Sequence, residues 1–130
     1  MRKLWIHQDI DAAAVDVWPL LVEPRSWPQW GPSVKYAELE GEQLSEGTTG
    51  VVTTVFGIRL GFEITSYAEG SHWAWKVGGI DATDHRIEPL GSDRCRVSFG
   101  VPWSAAPYGL VCRIALQRIR TLAERPGAVT

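Results

Sequence analysis

The chain has 130 residues, a length that fits one domain with a sizeable core, and we expect a single domain over residues 1–130. Its formal net charge of −2 gives no electrostatic reason to expect nucleic acid or an anionic membrane as a partner. No apolar run approaches the roughly 18 residues that cross a bilayer, and the first residues become polar too early for a signal peptide, so we expect a cytoplasmic protein without membrane insertion.

The first elements in chain order are a strand and a short helix. Residues 3–10 have the composition of a strand. Asp11 then stands where a helix N-cap belongs, and the alanines at 12–14 are the strongest helix formers. Pro24 ends this helix, and residues 23–30 predict one more short turn before the second strand.

Six further strands are predicted in succession, each bounded by turns that contain glycine or proline. Apolar and polar residues alternate along them, which indicates a sheet with one covered face. Turns this short join antiparallel neighbours. The predicted strands span residues 34–40, 48–56, 58–67, 72–77, 82–89 and 94–103.

The last segment returns to helical periodicity. Apolar residues recur at three- and four-residue spacing between Tyr108 and Leu122, which predicts a closing helix over about residues 105–124. The fold class is therefore α+β: a seven-stranded curved antiparallel sheet around a long C-terminal helix, with two short helices between strands 1 and 2. Because one helix cannot fill a strongly curved sheet along its whole width, we expect space between the two.

The stretch DAAAVDVWPLLVEPRSWPQWGPSV at residues 11–34 resembles the opening of the START/polyketide-cyclase superfamily (SRPBCC, which includes the birch-pollen-allergen type). The resemblance extends through GSHWAWKV and DHRIEPLGSDRCRVSF to the single closing helix, and so covers essentially the whole chain. It implies a helix-grip fold with a deep, mostly apolar cavity between sheet and helix. The positions that carry it at the N-terminal end are Val-Trp at 17–18, Trp-Pro at 27–28 and Trp-Gly-Pro at 30–32.

The resemblance also gives a role to three of the seven tryptophans. It implies that Val17 and Trp18 anchor the short helices against the narrow end of the sheet. Trp27 and Trp30 would close the wall there. A large flat ring suits this task, so a structural role outweighs ligand contact for all three tryptophans.

Several apolar residues are candidates for the wall of such a cavity. Trp73 and Trp75 share one face of a strand, and Phe62 on the neighbouring strand is expected to point to the same side of the sheet. The closing helix contributes Tyr108, Val111 and Ala115 above them. Ordinary core packing is the alternative for each. The ligand-binding candidates are Trp73, Trp75, Phe62, Tyr108, Val111 and Ala115.

Two polar residues are candidates for acid–base chemistry in this cavity. His85 alternates with Thr83 and Ile87, so it points inward if Ile87 does, and a neutral imidazole in an apolar pocket can exchange a proton or orient a carbonyl. Tyr36 follows Val34 by two residues and is expected to bring a phenol to the same cavity. A hydrogen-bonded core or surface histidine is the alternative for His85.

The remaining polar residues predict no further site. Asp84 and Arg86 should face outward as a solvated pair. The histidines at 7, 72 and 85 have no metal-ligand spacing, and Cys95 and Cys112 are expected to be buried free thiols, so neither a metal nor another cofactor is predicted. The arginines of the closing helix form no single stripe, which argues against a nucleic-acid surface.

Three functions fit these residues. The first is a hydrophobic-ligand protein of polyketide cyclase or dehydratase type, which would work by acid–base catalysis and by holding a flexible chain in a bent form. The second is a carrier or sensor of a lipid-like ligand without turnover. The third is a protein-interaction module, in which Trp5, Leu110 and Ile114 form exposed apolar surface for a partner or a homodimer. A cavity into which His85 and Tyr36 point would favour the enzyme. A purely apolar cavity would favour the carrier, and a core without a cavity would favour the interaction module.

Overall fold

A seven-stranded antiparallel sheet curves around a C-terminal helix in the computed structural model, which describes residues 3–125. The chain builds it from strands and three α-helices, with 3-10 turns at Pro24–Ser26 and Trp103–Tyr108. In chain order these are β1 (Lys3–Ile10), α1 (Ala14–Val22), α2 (Trp27–Trp30), β2 (Val34–Leu39), β3 (Thr49–Thr54), β4 (Arg59–Ala68), β5 (His72–Val77), β6 (Ile80–Pro89), β7 (Cys95–Pro102) and α3 (Gly109–Glu124).

The strand order in the sheet is β1-β7-β6-β5-β4-β3-β2. Each strand from β2 to β6 pairs with the next one along the chain, as short connections favour, and β1 pairs with β7 over its full length. This confirms the predicted helix-grip architecture. No helix among residues 3–125 is long and apolar enough to cross a membrane.

The core lies between the concave face of the sheet and the helices. On β7, Cys95, Val97, Phe99 and Val101 alternate inward and are buried, as the period of a strand requires. Helix α3 covers them with residues spaced three and four apart, because that spacing places side chains on one helix face. The buried residues of α3 are Gly109, Cys112, Ala115, Leu116, Ile119 and Ala123.

The starts of α1 and α3 differ from the sequence prediction. Asp11 does not cap α1: the N-cap position is Ala13, without a side-chain hydrogen bond, and the Asp11 carboxylate instead accepts from Arg94 Nε at 3.0 Å. The α-helical part of the closing segment begins at Gly109 and not near residue 105. Pro107 lacks an amide proton and Ala105 has a non-helical conformation, so the chain turns as a 3-10 segment first.

The connections between strands gather at two ends of the sheet. One end holds the β3–β4 and β5–β6 turns, the start of β2 and the 3-10 segment Trp103–Tyr108, and we call it the open end. The other holds the β2–β3, β4–β5 and β6–β7 connections together with α1, and we call it the closed end. Trp18 fills the closed end, where its indole N–H donates to Glu69 Oε2 at 2.6 Å.

Candidate functional site

Two adjoining cavities lie between the sheet and the segment that contains α3. The outer cleft, of about 360 Å³, is at the open end and has a mostly apolar wall that includes Leu60, Val77 and Val101. The inner chamber, of about 40 Å³, lies deeper and is lined by His85, Val111, Cys112 and Ala115 among others. A chamber of this size holds only a few water molecules, whereas the cleft has the volume of a small-ligand site.

The two cavities meet at a neck formed by residues that line both. Ser33 Oγ and the hydroxyl of Tyr108 share a hydrogen bond of 3.0 Å across it. Burial raises the pKa of Tyr108, so its hydroxyl stays protonated and can donate. The residues that line both cavities are Ser33, Val34, Trp75, Thr83 and Tyr108.

His85 lies in the wall of the inner chamber, on the concave face as predicted. It pairs in register with Trp73 of β5, and its ring stacks on the Trp73 indole with centroids 3.8 Å apart. Its Nδ1–H donates to the Trp73 carbonyl oxygen at 3.1 Å, which leaves Nε2 as the acceptor. Burial lowers the pKa of His85 to about 4, so the imidazole is neutral at pH 7 and its Nε2 can accept a hydrogen bond.

Two predicted tryptophans form a cluster around His85. Trp73 is fully buried and stacks on Trp27 at 5.2 Å, while Trp75 meets both rings edge to face. The indole N–H groups of Trp73 and Trp75 have no acceptor among the described residues.

Phe62 differs from the other ligand-binding candidates. It is buried and packs against Trp27 and Trp75, but it lines neither cavity. Its ring lies over Gly50 of β3, where a Cβ atom would come within 2.5 Å of the ring. Phe62 therefore supports the cavity wall from behind and does not form its surface.

Trp27 and Trp30 close the wall, as the resemblance implied. The Trp27 N–H donates to the Leu21 carbonyl at 3.0 Å, and the Trp30 N–H donates to the Leu20 carbonyl at 2.7 Å. Both rings also line the inner chamber. These bonds tie α2 to the end of α1, so the tryptophans serve structure and chamber together.

Tyr36 is not in the site, which corrects the sequence prediction. A β-bulge at Lys35 sets Val34 opposite Thr54 and Tyr36 opposite Thr53, so the alternation of β2 shifts by one residue. Val34 lines both cavities, whereas Tyr36 points outward and is 42% exposed. Composition alone did not reveal this bulge.

Asp84 faces outward as predicted but is buried and not solvated. The Trp5 ring lies across Gly100, where a Cβ atom would meet it at 3.0 Å, and so covers the strand next to Asp84. Lys3 Nζ and Arg86 lie 3.2 and 3.6 Å from Asp84 Oδ2. The Arg86 guanidinium is also 4.8 Å from the Trp5 ring centroid.

Sequence reasoning did not name three residues of the neck, Ser33, Val34 and Thr83, as site candidates. Thr83 shares the face of His85 two residues earlier, so the alternation of β6 contained the signal. Ser33 follows a Gly-Pro turn and meets Tyr108 from 75 residues away, a contact that no local pattern encodes. The other predicted residues, Trp73, Trp75, Tyr108, Val111, Ala115 and His85, line one or both cavities.

No metal site is visible in residues 3–125, where no three His, Cys, Asp or Glu side chains are grouped suitably. Cys95 and Cys112 are free and buried, as expected. Burial raises the pKa of each thiol to about 11, so neither is a reactive thiolate at pH 7.

Solved structures share this fold. The protein XoxI from Bacillus cereus superposes with a TM-score of 0.75 at 12% identity, over 97% of this chain and 98% of its own. A protein from Arthrobacter aurescens superposes with a TM-score of 0.68 at 20% identity, over 98% of this chain and 89% of its own. The di-domain ARO/CYC protein BexL from the BE-7585A biosynthetic pathway gives 0.71 at 13% identity, over 92% of this chain and 45% of its own.

These identities establish the fold and not the activity. No curated protein matches the chain. The family model described as polyketide cyclase/dehydrase and lipid transport matches residues 1–124. With the helix-grip sheet and the cavity beneath its closing helix, this match shows that the chain belongs to the polyketide cyclase/dehydrase and lipid transport family.

Proposed function

We propose that this chain binds a hydrophobic, ring-containing small molecule in the outer cleft. The observation that carries the proposal is the cleft itself, about 360 Å³ of mostly apolar space beside the Trp75 indole. Aromatic walls favour flat rings by stacking, and burial of apolar area supplies most of the affinity. The family description, which covers cyclases and lipid transport, supports the same ligand class.

The neck gives this ligand an orientation. Thr83, Ser33 and Tyr108 place three hydroxyl groups at the inner end of an otherwise apolar cleft. A ligand that carries one hydroxyl or carbonyl group can bind them with that group directed inward, and leave its apolar body in the cleft. A purely aliphatic ligand would leave the hydroxyl of Thr83 without a partner from the ligand.

Binding is tested with 2-naphthol, a bicyclic aromatic with one hydroxyl. Ala105 lines the outer cleft and Ser104, its neighbour, does not. Ala105→Trp should fill the cleft and weaken binding at least tenfold in calorimetry, while Ser104→Trp should bind as the original chain does. If neither chain binds 2-naphthol, or both variants bind equally, the cleft is not the ligand site.

Catalysis is a second proposal that rests on His85. A neutral imidazole with Nδ1–H fixed by Trp73 has Nε2 free to remove a proton from an activated carbon of a poly-β-keto chain. The enolate formed would attack a carbonyl of the same chain, and the bent fit in the cleft would supply orientation. Transfer of the proton from His85 to the new alkoxide completes an aldol cyclisation without a cofactor.

This step requires the reacting end of the substrate to pass the neck, since the chamber beside His85 is only about 40 Å³. A synthetic poly-β-keto thioester is the probe, with cyclised product followed against the uncatalysed background. His85→Gln should lower the rate at least tenfold and leave 2-naphthol affinity unchanged. Product formation that is equal in the two chains, or no faster than background, would favour the carrier function.

A further inference from the structure

The open end carries a group of large apolar side chains that face solvent. Three lie on the β3–β4 turn, one on the β5–β6 turn and two beyond the end of β7. Phe56 is 86% exposed and Ile80 is 72% exposed, values that normally belong to charged residues. We call this group the collar; it consists of Val55, Phe56, Ile58, Ile80, Trp103 and Leu110.

The collar lies beside the mouth of the outer cleft. Thr54, Val77 and Pro102 line the cleft, and each stands within three residues of a collar residue in the chain. The Val55 N–H donates to the Ser33 carbonyl at 3.1 Å, which joins the β3–β4 turn to the neck. Exposed apolar side chains therefore stand on the turns beside the mouth.

The turns that present the collar depend on glycine. Gly57, Gly78 and Gly79 have φ values of 82°, 61° and 80°, which other residues rarely adopt. The Gly78 N–H also donates to the Gly61 carbonyl at 2.8 Å, so the β5–β6 turn is tied to β4. Scattered apolar residues are common on surfaces, but a grouped set at one end marks an interaction surface.

Charge divides the molecule along the same axis. At the open end, Lys35, Arg59 and Arg113 have no ion-pair partner among residues 3–125. The connecting segments there hold no carboxylate, and Asp81 stands at the start of β6. The connections of the closed end, with α1, contain two cations, Arg25 and Arg94, and eight carboxylates: Asp11, Asp16, Glu23, Glu40, Glu42, Glu46, Glu69 and Asp93. The end of α3 lies beside them, because Glu124 Oε2 accepts from the Asp11 N–H at 2.8 Å, and it adds Arg118, Arg120 and Arg125 to this end. Nine carboxylates against five cations leave the closed end acidic.

From this arrangement we propose that the open end docks on the surface of an anionic lipid bilayer, with the collar in the headgroup region and the cleft mouth facing the lipid. The acidic closed end is repelled by such a surface and the basic open end is attracted, so the molecule is oriented. The apolar collar then adds burial at contact. The same positive charge disfavours a second copy of the chain on this face, because two open ends would repel each other.

Docking does not depend on the proposed function, but loading of a ligand from the bilayer into the cleft does. The experiment is flotation of the purified chain with vesicles of pure phosphatidylcholine and of phosphatidylcholine with 30% phosphatidylglycerol. The chain should float with the anionic vesicles at low salt, and the bound fraction should fall as sodium chloride is raised.

Variants identify the surface. The double variant Phe56→Asp/Ile80→Asp should lower binding to anionic vesicles at least tenfold. Val15→Asp is the matched control, because Val15 is 77% exposed on α1 at the closed end and should bind as the original chain does. Arg59→Gln, which leaves the collar intact, should lower binding by about fivefold, the effect expected of one cation near an anionic surface.

Four outcomes overturn the proposal: no binding to anionic vesicles at low salt, equal binding to pure phosphatidylcholine at all salt concentrations, an equal loss in Val15→Asp, or a dimer by light scattering that Phe56→Asp/Ile80→Asp dissociates. Far-ultraviolet circular dichroism checks that each variant is folded. Ala105→Trp, which fills the cleft, should still dock. If docking persists while no chain binds 2-naphthol, the docking proposal stands and the ligand proposal fails.

Discussion

The closed and open ends of the molecule use aromatic side chains in opposite ways. At the closed end Trp18 is 6% exposed, donates to Glu69 and packs against Tyr67 with centroids 6.1 Å apart. At the open end Phe56 is 86% exposed and Trp103 is 54% exposed. Stability is thus concentrated where the sheet is plugged, and the end that surrounds the cleft keeps apolar surface in solvent.

Polar interactions follow the same division. At the closed end, burial and the Glu69 carboxylate raise the pKa of Tyr67 to about 12, so its hydroxyl remains a donor to Glu69 at 2.7 Å. The hydroxyl groups of the neck, by contrast, include Thr83, which faces a cavity. The polar groups at the closed end hydrogen-bond to each other, whereas the neck leaves the Thr83 hydroxyl available to a ligand.

The largest expected difference between the ends is in folding stability. Trp18→Ala should lower the free energy of unfolding by about 3–5 kcal/mol, because a buried ring and its hydrogen bond are lost. Trp103→Ala is the matched control at the open end and should cost less than about 1 kcal/mol. Urea denaturation measures both, and similar losses would remove the distinction between the ends.

A second effect concerns the pH dependence of stability. The pKa of His85 is lowered to about 4, so below pH 6.5 the unfolded chain binds a proton that the folded chain does not. Stability should therefore fall with decreasing pH, by about 2 kcal/mol between pH 7 and pH 5. Burial is the largest influence on the pKa of His85; the Trp73 hydrogen bond and the Asp84 charge raise this pKa, and the Lys3 charge lowers it.

Substitution of the buried imidazole tests this effect. His85→Gln should remove most of the slope that the original chain shows between pH 5 and 7. Denaturation curves at several pH values supply both slopes. A slope that persists in His85→Gln would show that another group titrates in this range.

A third effect concerns the neck between the two cavities. Tyr108→Ala removes the ring that separates them, so methyl methanethiosulfonate should reach Cys112 about tenfold faster, which corresponds to about 1.4 kcal/mol in the barrier. Cys95 is buried away from both cavities and is the internal control. Mass spectrometry assigns each label. Equal acceleration at both thiols would indicate general loosening and not an opened neck.

The smallest expected effect is at the collar itself. Phe56→Asp should change the free energy of unfolding by less than about 0.5 kcal/mol, because the ring contributes little burial in the folded state. Thermal or urea denaturation measures the change. A loss of more than about 1 kcal/mol would mean that Phe56 packs against the fold and is not free for a partner.

The sequence predicted the parts of the site that depend on local alternation. The inward direction of His85 followed from Ile87 two residues later, and the cavity positions of Trp73 and Trp75 followed from strand spacing. The same reasoning was wrong for Tyr36, because the bulge at Lys35 inserts one residue and reverses the phase. For Asp84 the sequence predicted the outward direction but not the burial, because the Trp5 ring that covers this region comes from another strand.

The sequence by itself determined the order of the elements and the covered face of most strands, because these depend on patterns within about ten residues. Its motifs, spread along the whole chain, also indicated the family. Only the tertiary structure decided the sizes of the two cavities, the Ser33–Tyr108 contact and the collar. Each of these joins segments far apart in the chain. The physical reason is that sheet curvature and the position of the closing helix arise from packing, and packing sums contributions that no single segment contains.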